Sequence, residues 1–539
     1  MESKRKQKHN VLRFACFLFL AGIMAIALTN LLVPSFASKR EDSVHKMYEQ
    51  PSDTVQVLCA GGSTLLCGFS PDYLYETFGI ASYNICSSNQ ATASSLYLLK
   101  EIMKSQSNIK TVVLDAAPLV SKEKDDVFSR RAMAIATDMR PSLNKVEYIV
   151  DVSSNYEGIN VFEELIPIFK YHSRWNKLTN DDFNHLSFYD FGNYAHGQLI
   201  YSESYKSNIS KNQADEFNRN QNDGITEEKS FDDEELKASW NEKNIEYFVT
   251  FVEYCAENDI DILLLKTPWN EWGDLQHDSV QLLAETYNVS FLDMSLPAIM
   301  DECNLSYAND YYDGKHMILT GSIKASNYVG QYLRDHFDLD DKRGDARFEF
   351  MTEDLEVFHR ALEDAQLLTC MNLEDYLNLL DNDRYTVFIA VKGEAADNLS
   401  NQARAQFESL GLPKLANLHT NESYLGILEN GICLTEQTNA DGNSISITGT
   451  YENYKVVIEK QNLQRGASLK SPLRMESIGS DSSSKASIHI SDSEKSENNR
   501  GINITVYENK KGISLDHSSF DTHVGSARTS DLPPNQSGN

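Results

Sequence analysis

Between residues 52 and 340 the chain alternates short, almost wholly apolar runs with longer stretches whose apolar residues recur every three or four positions. The runs VQVLCA, ASYNIC, KTVVLDAAP, DILLLKTP and VSFLDM have the pattern of strands. SPDYLYETFG, NQATASSLYLLKEIMKSQS, DEELKASWNEKNIEYFVTFVEYCAEN and HDSVQLLAETYN have the period of helices. Apolar strands separated by helices predict an α/β domain with a parallel sheet and helices on both faces. The alternation breaks at residues 119–230, an aromatic and polar insertion. From 341 to 383, apolar positions at helical spacing with acidic residues between them predict a connector of two helices. A different pattern occupies residues 384–523. RYTVFIAVKGEA, SYLGILENG, YKVVIEK and GINITVYENKKGISLDHSSFDT read as strands and turns. One helix over NLSNQARAQFESLG stops at Gly411, and ESIGSDSSSKAS reads as a polar loop. This predicts a mainly β domain, with 524–539 as a disordered tail.

The N-terminus stands apart. MESKRKQKHNVLR is basic, and an apolar run from Phe14 to Leu28 continues through TNLLV to Val33. A run near the length of a bilayer crossing, preceded by Lys4, Arg5, Lys6, Lys8 and Arg13, predicts a cytoplasmic segment 1–13. It also predicts one transmembrane helix, a signal anchor at 14–34, and a single-pass cell-membrane protein whose bulk is extracytoplasmic. A cleaved signal peptide is the alternative, since Ser35-Phe36-Ala37 has the small-x-small form of a cleavage site.

At 539 residues and 41% hydrophobic the chain can build two or three cores, and its formal charge of −30 excludes nucleic acid as the expected partner. Eight cysteines, one of them Cys16 in the apolar run, show no paired spacing and no CxxC. Cys59, Cys67 and Cys86 therefore read as buried thiols, and a disulfide framework is not expected.

In an open parallel sheet, sites form outside the carboxyl ends of the strands. Ser63, in CAGGST, follows the first strand at such an end, where Gly61 and Gly62 clear bulky side chains away. A serine needs a base to take its proton and a carboxylate to orient that base. YYDGKHMILTG supplies both, Asp313 and His316, three residues apart on a loop before a helix capped near Thr320. The catalytic set expected is Ser63 as nucleophile, His316 as base and Asp313 as orienting carboxylate. Ser63 as a simple turn residue is the structural alternative, and no metal or other cofactor is expected.

With GGST, the following FGIASYNICSSNQ and the closing D-x-x-H of Asp313 and His316, residues 52–340 resemble the SGNH, or GDSL-like, hydrolases. The likeness is to a membrane-anchored branch associated with cell-surface polymer acylation. That resemblance implies a flavodoxin-like three-layer sandwich and ester chemistry on carbohydrate or lipid acyl groups. Where such proteins place oxyanion-hole amides, this chain has SSNQ and DAAP. Gly62, Asn84, Asn89 and Gln90 are the oxyanion candidates, since Asp115 cannot donate while ionised. Tyr171, His172, Arg174 and Trp175 of the insertion can line a glycan cleft or pin the insertion to the sheet. Trp269 and Asn270, in the strand-end loop KTPWNEW, are wall candidates.

YTVFIAVKGEA, LGLPKLANLHTNESYLGILENG and NNRGINITVYENKKGISLDHSSFDT resemble the interleukin-like EMT inducer (ILEI) domain, also called the PANDER-like or GG-type lectin domain. The resemblance implies a compact β-sandwich with a surface for glycan or protein. Cys433 is the only cysteine within residues 384–523, so the disulfides of that family cannot form in full. Together these readings predict an anchored surface esterase or O-acyltransferase acting on a cell-surface glycan or other acylated polymer. Its further partners would be the bilayer and a membrane acyltransferase. The alternative is a non-catalytic glycan- or protein-binding scaffold.

Overall fold

The computed structural model describes residues 2–33, 42–120, 132–178, 194–199, 209–224, 230–396, 398–452, 455–458, 471–479, 484–491, 493–509 and 513–529. The chain divides into two compact units, Met1–Ala361 and Leu362–Asn539.

The first unit is built on five parallel strands. They are β1 (Val57–Ala60), β2 (Ser82–Asn84), β3 (Thr111–Asp115), β6 (Asp261–Lys266) and β7 (Ser290–Asp293), in the order β2-β1-β3-β6-β7. Two further strands, β4 (Tyr194–Ala195) and β5 (Gln198–Leu199), form a separate hairpin. Alternate strand residues feed two cores. Leu58, Ala60, Val112, Leu114, Ile262 and Leu264 pack with the helices Thr92–Ile102, Glu242–Glu257 and Asp274–Tyr287. Val57, Cys59, Val113, Leu263 and Leu265 pack with Ser63–Gly68, Pro71–Phe78 and Leu319–His336. A sheet with a helical layer on each face is the predicted architecture. The strand order reverses between β1 and β3, and it is at such a switch point that a crevice opens. Cys59, Cys67 and Cys86 are buried, and all described cysteines are free.

Local differences from the sequence expectation have local causes. DEELKASWNEKNIEYFVTFVEYCAEN is two helices, Asp233–Ala238 and Glu242–Glu257, because the Asn241 side chain accepts from Asn244 N at 3.0 Å and starts a new helix. The helix after the Asp313–His316 loop, expected to be capped near Thr320, begins at Leu319, with Ile318 at its cap position. The N-terminus is one continuous helix, α1 (Glu2–Leu32), across the expected boundary at residue 14. The expected transmembrane helix is not found: among the described residues no helix is long and apolar enough to cross a membrane. Lys4, Arg5, Lys6, Lys8 and Arg13 belong to α1 itself, ahead of its apolar run from Phe14 to Leu28.

The second unit contains two five-stranded antiparallel sheets. One joins β8 (Tyr385–Lys392), β9 (Ser423–Glu429), β10 (Ile432–Asn439), β16 (Gly501–Glu508) and β17 (Ile513–Phe520) in the order β10-β9-β8-β16-β17. The other joins β11 (Ile445–Glu452), β12 (Lys455–Ile458), β13 (Ser471–Ile478), β14 (Lys485–Ile490) and β15 (Ser493–Glu494) in the order β12-β11-β13-β14-β15. Phe388, Leu425, Ile427, Ile447, Leu473 and Ile488 meet in the core between them. The serine-rich stretch read as a loop contributes to β13 and β14. Ser477 is fully buried there, accepting from Tyr424 N at 3.0 Å and donating to Val391 O at 2.6 Å. The expected tail also begins later than residue 524. Arg528 is 1% exposed and donates to Asp516 Oδ1 at 2.6 Å, while its backbone N–H donates to Met371 O at 2.8 Å. Residues 530–539 of that expectation lie outside the described residues.

Candidate active site

The turn after β1 brings the nucleophile candidate to the switch point. Gly61 has φ +155°, and a Cβ there would lie 2.2 Å from Asp115 Cβ. A Cβ on Gly62 would lie 2.9 Å from Asp115 Oδ2. Both glycines are therefore needed for the close approach of Asp115, which stands at the end of β3. Asp115 uses that approach: its carboxylate accepts from Gly62 N at 3.0 Å and from Ala117 N at 3.0 Å. Ser63 then opens the helix Ser63–Gly68 with its hydroxyl only half-buried.

The loop before the helix Leu319–His336 is a closed turn. Tyr311 and Met317 form an antiparallel bridge, and Tyr312 N donates to His316 O at 2.8 Å. Inside it, Asp313 Oδ1 accepts from Lys315 N at 3.0 Å and from His316 N at 2.9 Å, which leaves Oδ2 facing the imidazole. Asp313 Oδ2 lies 2.8 Å from His316 Nδ1, and His316 Nε2 lies 2.8 Å from Ser63 Oγ. Burial works against the charge on Asp313, but the hydrogen bond and charge of His316 and the two backbone N–H groups outweigh it and bring the carboxyl down to about 2. An ionised carboxylate only accepts, so Nδ1 carries the proton and Nε2 is the acceptor for the serine hydroxyl. The structure thus brings Ser63, His316 and Asp313 together in hydrogen-bonded order.

Asn270 and Trp269 adjoin this turn. Asn270 N donates to Gly314 O at 3.1 Å, and a Cβ on Gly314 would lie 2.4 Å from Asn270 Oδ1. Lys315 Nζ lies 5.2 Å from the centre of the Trp269 ring. The oxyanion candidates fare unequally. Gly62 N–H is engaged by Asp115. Asn84 is fully buried, donating to Leu65 O at 2.9 Å and Phe69 O at 3.3 Å while its oxygen accepts from Cys86 N at 2.9 Å. Gln90 donates to Ser95 Oγ at 3.0 Å and accepts from Ser87 Oγ at 2.9 Å. Asn89 is exposed in a left-handed turn, φ +58°, two residues beyond Ser87, whose N–H donates to Gly61 O at 3.0 Å. The insertion residues have other attachments. Arg174 donates to Leu32 O at the end of α1, His172 Nδ1 lies 2.7 Å from Phe169 O, and Trp175 is exposed.

Asp115 and Lys266 are functional candidates that sequence reasoning did not assign. Lys266 ends β6, is fully buried, and lies 4.9 Å from the Trp272 ring centre. Burial pushes the lysine down to about 8 against the pull of Asp115 and Asp293. Burial likewise raises Asp115, while Lys266 and the two backbone donors lower it. A charged residue at the tip of an otherwise apolar strand was the signal for each.

The Interleukin-like EMT inducer family matches residues 349–432, from the helix Glu349–Thr369 through β8 and β9 to the start of β10. The match supports the C-terminal resemblance, and no family match supports the hydrolase resemblance of residues 52–340. No curated protein and no solved structure matches the chain. Fold and site together define a parallel α/β unit carrying a Ser-His-Asp arrangement, followed by a mainly antiparallel β unit whose first strands fall within the interleukin-like EMT inducer match at residues 349–432.

Proposed function

We propose that the first unit is an SGNH-type serine esterase or O-acyltransferase that works outside the cytoplasm, on acyl esters of a cell-surface or extracellular polysaccharide. The observation that carries this reading is the continuous pair of 2.8 Å contacts from Ser63 Oγ through His316 to Asp313. In the first step Ser63 Oγ attacks the ester carbonyl carbon as His316 Nε2 takes the hydroxyl proton. The carbon–oxygen bond to the leaving alcohol then breaks, and that alcohol takes the proton from His316. Water or a sugar hydroxyl then attacks the acyl carbon as His316 takes its proton, the bond to Ser63 Oγ breaks, and His316 returns the proton to that oxygen, giving the acid or a new ester and the free serine. The remaining oxyanion donors are the Ser63 backbone N–H and the exposed Asn89 amide. We further propose that α1 anchors the chain in the cell membrane, with its basic start cytoplasmic, and that the β unit binds glycan. A membrane acyltransferase is the proposed source of acyl groups. The basic-then-apolar order of the N-terminal sequence supports the anchor.

The full chain incubated with a fluorophosphonate probe tests the catalytic reading. Labelling is expected in the parent and lost in Ser63→Ala and His316→Ala, and a folded parent that takes no label would sink it. One observation favours the scaffold reading instead: Asn84, Gln90 and the Gly62 N–H all spend their donors inside the protein. Under that reading the parent stays unlabelled and glycan binding resides in residues 384–523.

A further inference from the structure

Exposed large apolar side chains are concentrated in one part of the first unit. On the helix Leu143–Asn155, Leu143 is 82% exposed, and Val146 and Val150 follow it at helical spacing, opposite the buried Tyr148, Ile149 and Val152. The next two short helices, Val161–Leu165 and Pro167–Tyr171, expose Phe162, Leu165 and Phe169, with Ile166 exposed between them. The Phe162 and Phe169 rings pair at 4.7 Å in the open. Trp175, in the 3-10 turn His172–Asn176, is 71% exposed. An apolar surface of this extent costs free energy in water and marks a docking site.

The same surface is joined to α1. Arg174 donates to Leu32 O at the last residue of that helix, and Pro167–Tyr171 packs beside it. Along α1, Phe14, Phe17, Phe19, Leu20, Ile23 and Met24 are exposed as well. The exposed apolar residues of the insertion therefore stand on elements packed against the end of the N-terminal helix, which is itself exposed and apolar from Phe14 to Leu28. Trp175 is flanked by Arg174 and by the exposed Lys177, the pairing of aromatic and basic residues that suits a lipid headgroup region.

We infer that residues 143–176 form a second membrane contact, dipping Phe162, Phe169 and Trp175 into the outer leaflet of the bilayer that α1 enters. The inference rests on the anchor reading of α1. Continuity with α1 favours lipid over a protein partner. Net acidity of the chain makes burial of apolar side chains, rather than attraction to anionic headgroups, the source of binding. The expected ligand is thus a zwitterionic phosphatidylcholine surface.

The test uses the full chain reconstituted with phosphatidylcholine vesicles, with ordinary or brominated acyl chains, and follows flotation and tryptophan emission together. Of the four tryptophans, Trp272 is buried and Trp240 and Trp269 are half-buried, so short-range quenching by bromine reads Trp175. The parent is expected to float and to lose emission in brominated lipid, and the lost fraction is expected to disappear in Trp175→Phe. Phe162→Ser/Phe169→Ser is expected to float as the parent does while its quenching falls at least twofold. Flotation with no bromine quenching of Trp175 overturns the second contact and leaves the anchor standing. Trp175 shielded from aqueous acrylamide yet unquenched by bromine also overturns it, in favour of a protein covering the patch. Failure to float overturns both readings.

Discussion

Ser63 owes its proposed reactivity to one tautomer of one imidazole. Asp313, acid enough to stay ionised to about pH 2, fixes the proton on His316 Nδ1 and so reserves Nε2 for the serine. Asp313→Asn offers the ring an amide that can present N–H instead, and fluorophosphonate labelling should slow by roughly 10²–10⁴-fold with little change in thermal stability. An unchanged rate would show that the carboxylate does not orient the base. Asn270 is argued to position the turn through Gly314. Gly314→Ala is expected to slow labelling by forcing the Asn270 side chain aside, and Asn270→Ala in the same chain is expected to restore part of the rate. Additive losses in that double-mutant cycle would count against the contact. The triad was legible in the sequence because each member stands at a strand end or in a compact turn. The Asp115 contact was not, because it depends on the register that pairs Ala60 with Leu114 and so sets Gly61 beside Asp115.

At the scale of elements, the small β4–β5 hairpin shows how part of the insertion is held. His196 lies within it, buried, with Nδ1 2.5 Å from Asp72 Oδ1 and Nε2 3.2 Å from Asp354 Oδ2. Its backbone O accepts from Asn84 N at 2.9 Å, and Gln198 donates to Ser322 Oγ at 2.9 Å. Burial opposes a charge on the imidazole, but Asp72 and Asp354 outweigh it and raise its pKa from 6.5 to about 10. The folded state thus binds the proton more tightly than the unfolded one. The stabilisation is whole below about pH 6.5 and fades as the pH rises through about 10. His196→Gln should accordingly lower the melting temperature most at pH 6 and progressively less towards pH 10, a convergence that scanning calorimetry reads directly. A gap of constant size would mean that the histidine is held by shape alone. Long periodic helices and apolar strands were legible in the sequence. The hairpin was not, since two-residue strands leave no period to read, and neither were β13 and β14, whose polar residues find buried partners across the sandwich.

For the whole molecule, the sequence pattern located both architectures, a parallel α/β region followed by a mainly antiparallel β region. It placed the start of the tail too early, because the burial of Arg528 against Asp516 comes from a long-range pairing that composition does not register. The order of residues along the chain carries one more consequence. His316 lies 253 positions after Ser63, beyond β2, β3, the whole insertion, β6 and β7. During synthesis the serine emerges first, with His316 not yet within reach until most of the unit has been made and the helix Leu319–His336 has docked. A chain arrested, misdirected or cut anywhere before that helix carries no armed nucleophile. Under the proposed catalytic reading, completion of the fold is itself the activation step.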